Sequence, residues 1–345
     1  MNFRRPAFRS APISILELCR SLIATAGPVL LFCLFGSAVI WPSVSAAQTY
    51  PGKPIRIVIP FAPAGPADMI GRPVGQKLSE MLGQPVIIEN RGGAGGNLGA
   101  ALVAKSSADG YTLLVTTSAY AVNVTLAPKG GFDAERDLIP VAAIARQANL
   151  IFVNPSVPAN TLAELIALAK TGKISFASPV SGTTPHLMAE SLFNLTAKLD
   201  MTAVHYRGAG PAITAVVGGE LPVGAGAIST PLPFVKNGRL KAIAVSSAKR
   251  VAELPNVPTI AEAGFPGVAD DTWIAMFAPT GTPAAIVQKL NEAINQMLQT
   301  GEMRERLSAM AFEAVGGSTQ QFSDYLGSEI SKWGKVVREG NIKPD

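Results

Sequence analysis

The sequence predicts an α/β fold built as two lobes with a cleft between them. Short β-branched runs, of which residues 55–60 are the first, alternate with segments whose apolar residues recur at helical spacing. Such alternation is typical of mainly parallel sheets that helices cover on both faces. The 345 residues are 48% hydrophobic, which suffices for two cores, because a single core stops growing at about 250–300 residues.

Local patterns place the elements in the first part of the chain. Strands are predicted at 55–60, 86–89 and 111–116. A helix over 69–82 follows from apolar residues on one face, and an Ala-rich helix over 97–105 ends before the turn at Asp109 and Gly110.

Capping signals place the helices in the second part of the chain. Thr161 and Glu164 form a capping box that opens one helix, and Ser318 opens the last helix. Pro283 begins another helix, because proline suits the first helical turn. The remaining predicted elements are strands at 150–153, 174–178, 201–205 and 240–246 and helices at 185–195 and 210–217.

The first 47 residues predict an export signal and not a part of the fold. Arg4, Arg5 and Arg9 precede an apolar run over 22–41, and the small residues at 44–47 suit a signal peptidase. We expect cleavage near residues 46–48 and a periplasmic mature chain with no stable membrane anchor. An uncleaved anchor is the alternative, because the run approaches the roughly 20 residues that span a bilayer.

Cleavage would also change what the composition allows. It removes both cysteines and leaves 25 basic against 23 acidic residues, a net charge of +2. That charge is too small to indicate a nucleic-acid partner. A mature chain with two histidines and no cysteine predicts no metal site and no cofactor, and its glycine-rich run at 91–99 lacks the spacing of a dinucleotide turn.

Four loops that connect a strand to a helix are candidates for ligand binding. In open α/β sheets, ligands lie beyond the carboxyl ends of strands, where the first backbone amides of helices point outward. Hydroxyls, amides and one guanidinium in these loops suit a carboxylate ligand. The candidate ligand-binding residues are Phe61, Ala62, Pro63, Ala64, Gly65, Ala67, Asp68, Ser118, Ala119, Ser178, Val180, Ser181, Gly182, Thr183, Thr184, Tyr206 and Arg207.

Each candidate also has a structural interpretation. Small and polar residues commonly fill turns, and an acid at position 68 commonly caps a helix. His186, near a helix start, is typical of a structural hydrogen-bonding residue. Arg207 is either an ordinary surface residue or, within its glycine-rich loop, an anion contact.

These loops carry a resemblance to a known family. From about residue 50 to residue 345 the chain resembles the extracytoplasmic solute receptors of tripartite tricarboxylate transporters, often called the Bug family. The matching segments include YPGKPIRIVIPFAPAG (50–65), LGQPVIIENRGGAGGNLGA (82–100), HLMAESLF (186–193), YRGAGPA (206–212), LPNVPTIAEAGFPG (254–267) and KWGKVVREGNIKP (332–344).

The resemblance implies a two-lobed periplasmic binding protein fold, type II-like, with the ligand in a cleft between the lobes. Residues 48–147 plus 272–345 would form lobe 1, and residues 148–271 would form lobe 2. The family holds small organic acids and delivers them to a membrane permease of one large and one small subunit. We expect such a permease as partner and a monomeric receptor.

The chain departs from the family pattern at the predicted site. Family first loops usually read G-G-G-T/S-D, whereas Pro66 here removes an amide donor and Ala67 removes a hydroxyl. Val180 stands where glycine is usual, Pro222 replaces a usual aspartate, and the Gly and Ala residues at 224–227 replace bulkier ones. These losses predict a roomier pocket that is less suited to amino acids.

The sequence therefore predicts a non-enzymatic periplasmic receptor for a small di- or tricarboxylate or a related carboxylic acid. One alternative is a ligand sensor that docks a signalling protein. A remoter alternative is a serine hydrolase that uses Ser246, in the S-x-x-K run at 246–249, or Ser181.

Overall fold

A computed structural model describes residues 50–344. The predicted signal segment and its cleavage site lie outside those residues. The strands are β1 Ile55–Ile59, β2 Val86–Asn90, β3 Thr112–Thr117, β4 Leu138–Val153, β5 Ser175–Ser178, β6 Thr202–His205, β7 Val223–Ala227, β8 Lys241–Val245, β9 Asp271–Pro279 and β10 Glu313–Ala314. The helices are α1 Pro66–Leu82, α2 Asn97–Ala104, α3 Ala119–Leu126, α4 Leu162–Thr171, α5 Thr184–Glu190, α6 Ala209–Val217, α7 Leu232–Lys236, α8 Ala284–Gln299, α9 Gly301–Ala309 and α10 Thr319–Glu339.

Strand β4 joins the two lobes. Its residues 138–148 pair with β9, and its residues 149–153 pair with β7 and β8. The strand order β2-β1-β3-β9-β4-β7-β5-β6 therefore passes from the first lobe (β1–β3, β9, β10 and the start of β4) to the second lobe (β5–β8 and the end of β4). The predicted lobe boundaries near 147 and 271 stay predictions.

The predicted α/β class is confirmed, but each lobe has a mixed sheet. The outer strands are parallel, since β1 pairs in parallel with β2 and β3, and β5 with β6 and β7. Strands β4 and β9 are antiparallel to each other and to their other neighbours. The reason is topological, because β4 carries the chain into the second lobe and β9 begins directly after the chain returns.

Each lobe has its own core on both faces of its sheet. In the first lobe, Ile57 and Met276 pack on one face, and Phe277 and Trp333 pack on the other. In the second lobe, Phe176 packs on one face, and the opposite face buries residues of β4, β5 and α6. Rigid cores of this kind hold the loops at the strand ends in fixed positions.

Across residues 50–344, none of the helices has both the length and the apolar character needed to cross a bilayer.

Candidate functional site

The predicted loops meet where the two lobes face each other. The loops after β1 and β3 come from the first lobe, and the loops after β5 and β6 come from the second. A buried hydrogen bond of 2.8 Å between the hydroxyls of Ser118 and Thr184 joins the two lobes directly. Two cavities lie along this interface.

The inner cavity is small and carries no charge. Its volume is about 50 Å³, and no charged side chain of the described residues lines it. Helices α1, α5 and α6 all begin at its wall, because Pro66, Thr184 and Ala209 are their first residues. The complete lining is Phe61, Ala62, Pro66, Ala67, Thr117, Pro179, Val180, Thr183, Thr184, Pro185, Gly208, Ala209, Ala227 and Thr272.

The outer groove is larger and basic. It has a volume of about 850 Å³ and shares Phe61, Ala62, Val180 and Gly208 with the inner cavity. Lys129 of the first lobe and Arg207 of the second line it, and no acidic residue between positions 50 and 344 does. Three further predicted residues line this groove: Pro63, Ser181 and Tyr206.

Seven predicted residues line neither cavity. Ala64 is exposed and Gly65 is half-buried, whereas the other five are buried, namely Asp68, Ser118, Ala119, Ser178 and Gly182. Ser178 and Ser181 both have buried hydroxyl oxygens without a hydrogen-bond partner among the described residues.

Asp68 holds the first loop in place. Its carboxylate accepts the Ala64 amide at 3.0 Å, two donors of Arg72 at 2.9 Å each and Asn90 Nδ2 at 2.9 Å. Burial raises the pKa of Asp68, but the hydrogen bonds from Arg72, Ala64 and Asn90 outweigh it and hold that pKa below its ordinary value. Asp68 lies in the first turn of α1, whose cap is Gly65, so the expectation that Asp68 is the capping residue was wrong. The Asp68 carboxylate instead accepts the backbone amide of Ala64, four residues earlier in the chain.

A chain of buried side chains runs from this interface to the crossing between the lobes. Thr184 Oγ1 lies 2.8 Å from Ser118 Oγ and 2.7 Å from Thr272 Oγ1. Thr272 donates to Asn149 Oδ1 at 2.7 Å, and Asn149 Nδ2 donates to Asp270 at 2.8 Å. Since Asn149 and Asp270 lie where β4 and β9 pass between the lobes, the chain connects the cavity wall to the hinge.

An ion cluster anchors the far end of this chain. Lys332 Nζ lies 3.3 Å from Asp270 Oδ1 and 3.4 Å from Glu329 Oε1. Glu329 also accepts the indole N–H groups of Trp273 and Trp333, each at 3.1 Å. Burial is the largest influence and raises the pKa of Asp270 well above its ordinary value; the Lys332 ammonium offsets that rise only in part.

His186 supports the loop after β5 from below, as its structural interpretation predicted. It is buried, and its Nδ1 accepts the Gly182 amide at 3.3 Å. Its ring meets that of His205 edge-on, with 4.4 Å between centroids. Burial and then His205 lower the pKa of His186 from 6.5 to about 3. His186 is therefore neutral at physiological pH, and the described residues hold no group of three or more His, Cys, Asp or Glu placed to bind a metal.

His186 predicts a measurable loss of stability in acid. Below pH 6.5 the unfolded chain protonates this imidazole while the folded chain does not, so stability falls as the pH drops from 6.5 towards 3. Between pH 6.5 and pH 5 the loss is about 2 kcal/mol. His186→Asn keeps an acceptor for the Gly182 amide and removes the titration. Urea unfolding at pH 7 and pH 5 should show a smaller difference in the variant; equal differences would contradict this assignment.

The glycines of β7 do not enlarge the cavity as expected. A Cβ on Gly224 would lie 2.3 Å from the Phe152 ring, and one on Gly226 would lie 3.4 Å from it. Phe152 is buried opposite Gly224 on the paired strand β4. Its ring therefore fills the space that larger residues would take, and the prediction of a roomier pocket was wrong at these two positions.

Ser246 is not arranged as a nucleophile. Its Oγ accepts the Asn149 amide at 2.8 Å and donates a short hydrogen bond to the Asp270 carbonyl oxygen. Because its proton goes to a carbonyl and not to a general base, the geometry does not activate this serine.

Comparisons with known proteins decide the family. The model of the tripartite tricarboxylate transporter family receptor matches residues 70–342. The chain belongs to this receptor family. Protein BugT of Bordetella pertussis is 36% identical over 302 residues, which cover 86% of this chain and 92% of BugT.

Solved structures of family relatives share the two-lobed fold. Rpa4515 of R. palustris, solved with adipate, is 34% identical with a TM-score of 0.82 over 86% of this chain and 100% of that one. MatC of Rhodopseudomonas palustris, solved with bound malate, is 32% identical with a TM-score of 0.78 over 84% and 100% of the two chains. The receptor family is a class of periplasmic solute-binding proteins and not a class of enzymes.

Sequence reasoning missed one residue that lines the inner cavity. Thr272 was not predicted, whereas Thr117 and Ala227, which also line the cavity, adjoin the predicted Ser118 and belong to the run at 224–227 that was assigned to the pocket. Thr272 lies on β9, a continuous apolar run whose periodicity does not separate a strand from a helix. The pair Asp270 and Asp271 directly before that run was the available signal, since acids beside a buried strand need partners.

Proposed function

We propose that this receptor captures a small carboxylic acid between its lobes in the periplasm and passes it to a membrane permease. The observation that carries the proposal is the inner cavity, where three helices begin and which no charged side chain in the described part of the chain lines. Helix N-termini attract anions through free amides and the helix dipole. An acid can therefore be bound there mainly by backbone amides.

The surroundings of the inner cavity support the same ligand class. Lys129 and Arg207 make the adjoining groove basic, which favours the approach of an anion. The family relatives with adipate and malate supply examples of acids bound by this fold. Contacts at the inner cavity would come from Phe61, Ala62, Ala67, Val180, Thr183 and Thr184, with Arg207 reaching the ligand from the groove.

The proposal includes a closing motion of the lobes. The chain crosses between them at β4 and directly before β9, so rotation there separates Ser118 from Thr184 and opens both cavities. We also propose that the signal is cleaved near residues 46–48 and that the lobe boundaries follow residues 147 and 271. The receptor is proposed to be a monomer.

A thermal-shift screen tests the ligand class. The mature chain is heated with mono-, di-, tri- and aromatic carboxylates, and with neutral and cationic compounds of similar size as controls. At 100 times its Kd, a true ligand adds about 2.7 kcal/mol of stability and raises Tm by several degrees. Stabilisation by acids alone is the expected result. A chain that responds to no acid, or equally to neutral compounds, would contradict the proposal.

A further inference from the structure

The inner cavity is lined mostly by apolar groups. Of the described residues that line it, ten have apolar side chains or are glycine, and the other four are threonines. The hydroxyls of Thr184 and Thr272 are hydrogen-bonded to each other at 2.7 Å. Thr183 donates to a backbone carbonyl at 2.9 Å, and Thr117 accepts a backbone amide at 3.3 Å. Each threonine hydroxyl of the lining therefore already has a partner in the protein.

Backbone donors are also few at this wall. Proline has no N–H group, and Pro66 and Pro185 are the first and second residues of two of the three helices that begin here. The amides of Ala67, Thr184 and Ala209 remain, since N–H groups in a first helical turn lack partners within the helix. A carboxylate uses these donors, and a second polar group beside it would have to compete for them.

The size of the inner cavity determines which part of an acid it can hold. Its volume is about 50 Å³. A water-sized group needs about 10–15 Å³ of such a cavity, so there is room for roughly four non-hydrogen atoms. A carboxylate together with the α-carbon bonded to it matches that size. The substituents of the α-carbon must therefore lie within the cavity or at its opening.

The opening of the inner cavity into the outer groove is apolar and narrow. The two spaces share Phe61, Ala62, Val180 and Gly208, which we call the junction. A Cβ on Gly208 would lie 3.5 Å from the Ala62 Cβ, so the two lobes approach closely there. A hydroxyl or amino group on the α-carbon of the acid would lose its water at the junction without gaining a hydrogen bond from these side chains, which is costly.

Beyond the junction the outer groove is polar. Asn90, Asn97, Asn123, Lys129 and Arg207 line it. Its volume of about 850 Å³ also leaves room for water beside a ligand. Polar groups on the more distant carbons of an acid would therefore keep hydrogen-bond partners.

We propose that the junction determines the specificity of the site, so that the receptor selects acids with an unsubstituted or alkyl-substituted α-carbon over the same acids with an α-hydroxyl or α-amino group. The inference rests on the proposed function, because it assumes that the carboxylate lies at the helix starts of the inner cavity. Discrimination depends on the distance from the carboxylate, so a hydroxyl at the far end of the acid is tolerated.

Paired titrations of the mature chain test this selectivity. Calorimetry compares propionate with lactate, and succinate with tartrate, which has a hydroxyl on both α-carbons and so gains nothing by binding in reverse. In the pair that binds, the hydroxy acid should bind more weakly by about fivefold or more, since a buried hydroxyl without a partner is costly. Butyrate and 4-hydroxybutyrate should bind within about twofold of each other, because that hydroxyl lies in the groove.

The outcomes distinguish the inference from the function on which it rests. If no acid binds, the proposed function fails. If acids bind without preference, or if the hydroxy acids bind more tightly, the function stands and this inference is overturned. An equal loss of affinity from the distant hydroxyl of 4-hydroxybutyrate would overturn it as well.

Substitutions at the junction test the cause of the preference. Val180→Thr nearly keeps the shape of the side chain and adds a hydroxyl, which gives an α-hydroxyl a partner, so the preference should fall below about twofold. Val315→Thr is the matched control, because Val315 is exposed and lines neither cavity. This control should keep the preference of the unaltered protein.

Ala62→Ser is a second variant of the junction. Ala62 is exposed, so the added hydroxyl leaves both cores unchanged. This variant should also reduce the preference, and it decides the question if Val180→Thr does not fold. A preference that is unchanged in every folded junction variant, or that falls equally in Val315→Thr, would overturn the proposal.

Discussion

Replacing Gly182 by alanine should weaken acid binding at least tenfold and leave both lobes folded. Gly182 has a φ of +78°, and a Cβ there would lie 2.5 Å from Leu126 Cδ2 and 3.0 Å from Asn123 Oδ1, both in the first lobe. Leu126 is buried, and Asn123 is fixed by its 2.8 Å bond to the Gly95 carbonyl. Because the added Cβ would overlap both side chains when the lobes are closed, we expect incomplete closure, and overpacking of this kind costs about 1–3 kcal/mol.

The Gly238→Ala variant is the control that distinguishes blocked closure of the lobes from backbone strain at a positive φ. Gly238 has a φ of +75°, and a Cβ there would meet no atom within 4 Å. Both variants carry the same strain, so both should lose similar stability, but only Gly182→Ala should lose affinity. Calorimetric titration with an acid from the screen measures the effect. Equal affinities in the two variants would contradict the role given to the contact between the lobes.

Replacing Asp68 by alanine should destabilise the protein by about 2–3 kcal/mol and weaken acid binding as well. The carboxylate is buried and accepts four hydrogen bonds, two of them from Arg72. Hydrogen bonds to charged groups contribute about 1.5–3 kcal/mol, and the Arg72 side chain is 53% exposed, which limits the cost of leaving it unpaired. Without Asp68, the backbone at Ala64 has no anchor, and the loop that lines both cavities loosens.

Chemical unfolding and ligand titration of Asp68→Ala measure both effects. Since the pKa of Asp68 is lowered, its stabilisation is present above pH 3.8 and is lost as the pH falls through the folded pKa. Glu339→Ala is the control, because its ion pair with Lys335 is long, at 3.8 Å, and exposed. That control should change stability by less than about 1 kcal/mol. If Asp68→Ala and Glu339→Ala lost similar amounts of stability, Asp68 would not be the residue that stabilises the loop at the site.

Local signals predicted two loops between a strand and a helix. The pattern predicted loops at 61–68 and 178–186; in the structure the helices already begin at Pro66 and Thr184, which leaves shorter loops. Helix starts and strand ends can be predicted from sequence because the residues that determine them are close to them in the chain. The predicted α/β class and the family follow from the same segments.

Long-range packing explains what sequence reasoning missed. Thr272 reaches the cavity because β9 lies beside β3 and β4, and Phe152 fills the space over Gly224 from a paired strand. Ser118 begins a helix, yet its hydroxyl bonds across to Thr184 and makes no capping bond. In each case the partner is distant in sequence, so no local pattern records the contact.

Titration of an acid and its primary amide tests the central claim most directly. The best acid from the screen and the amide of the same skeleton are compared by calorimetry on the mature chain. Helix amides that bind a carboxylate lose a charged acceptor when the ligand is neutral, so the amide should bind at least tenfold more weakly than the acid. Equal binding of acid and amide would show that the cavity does not recognise the carboxylate and would contradict the account.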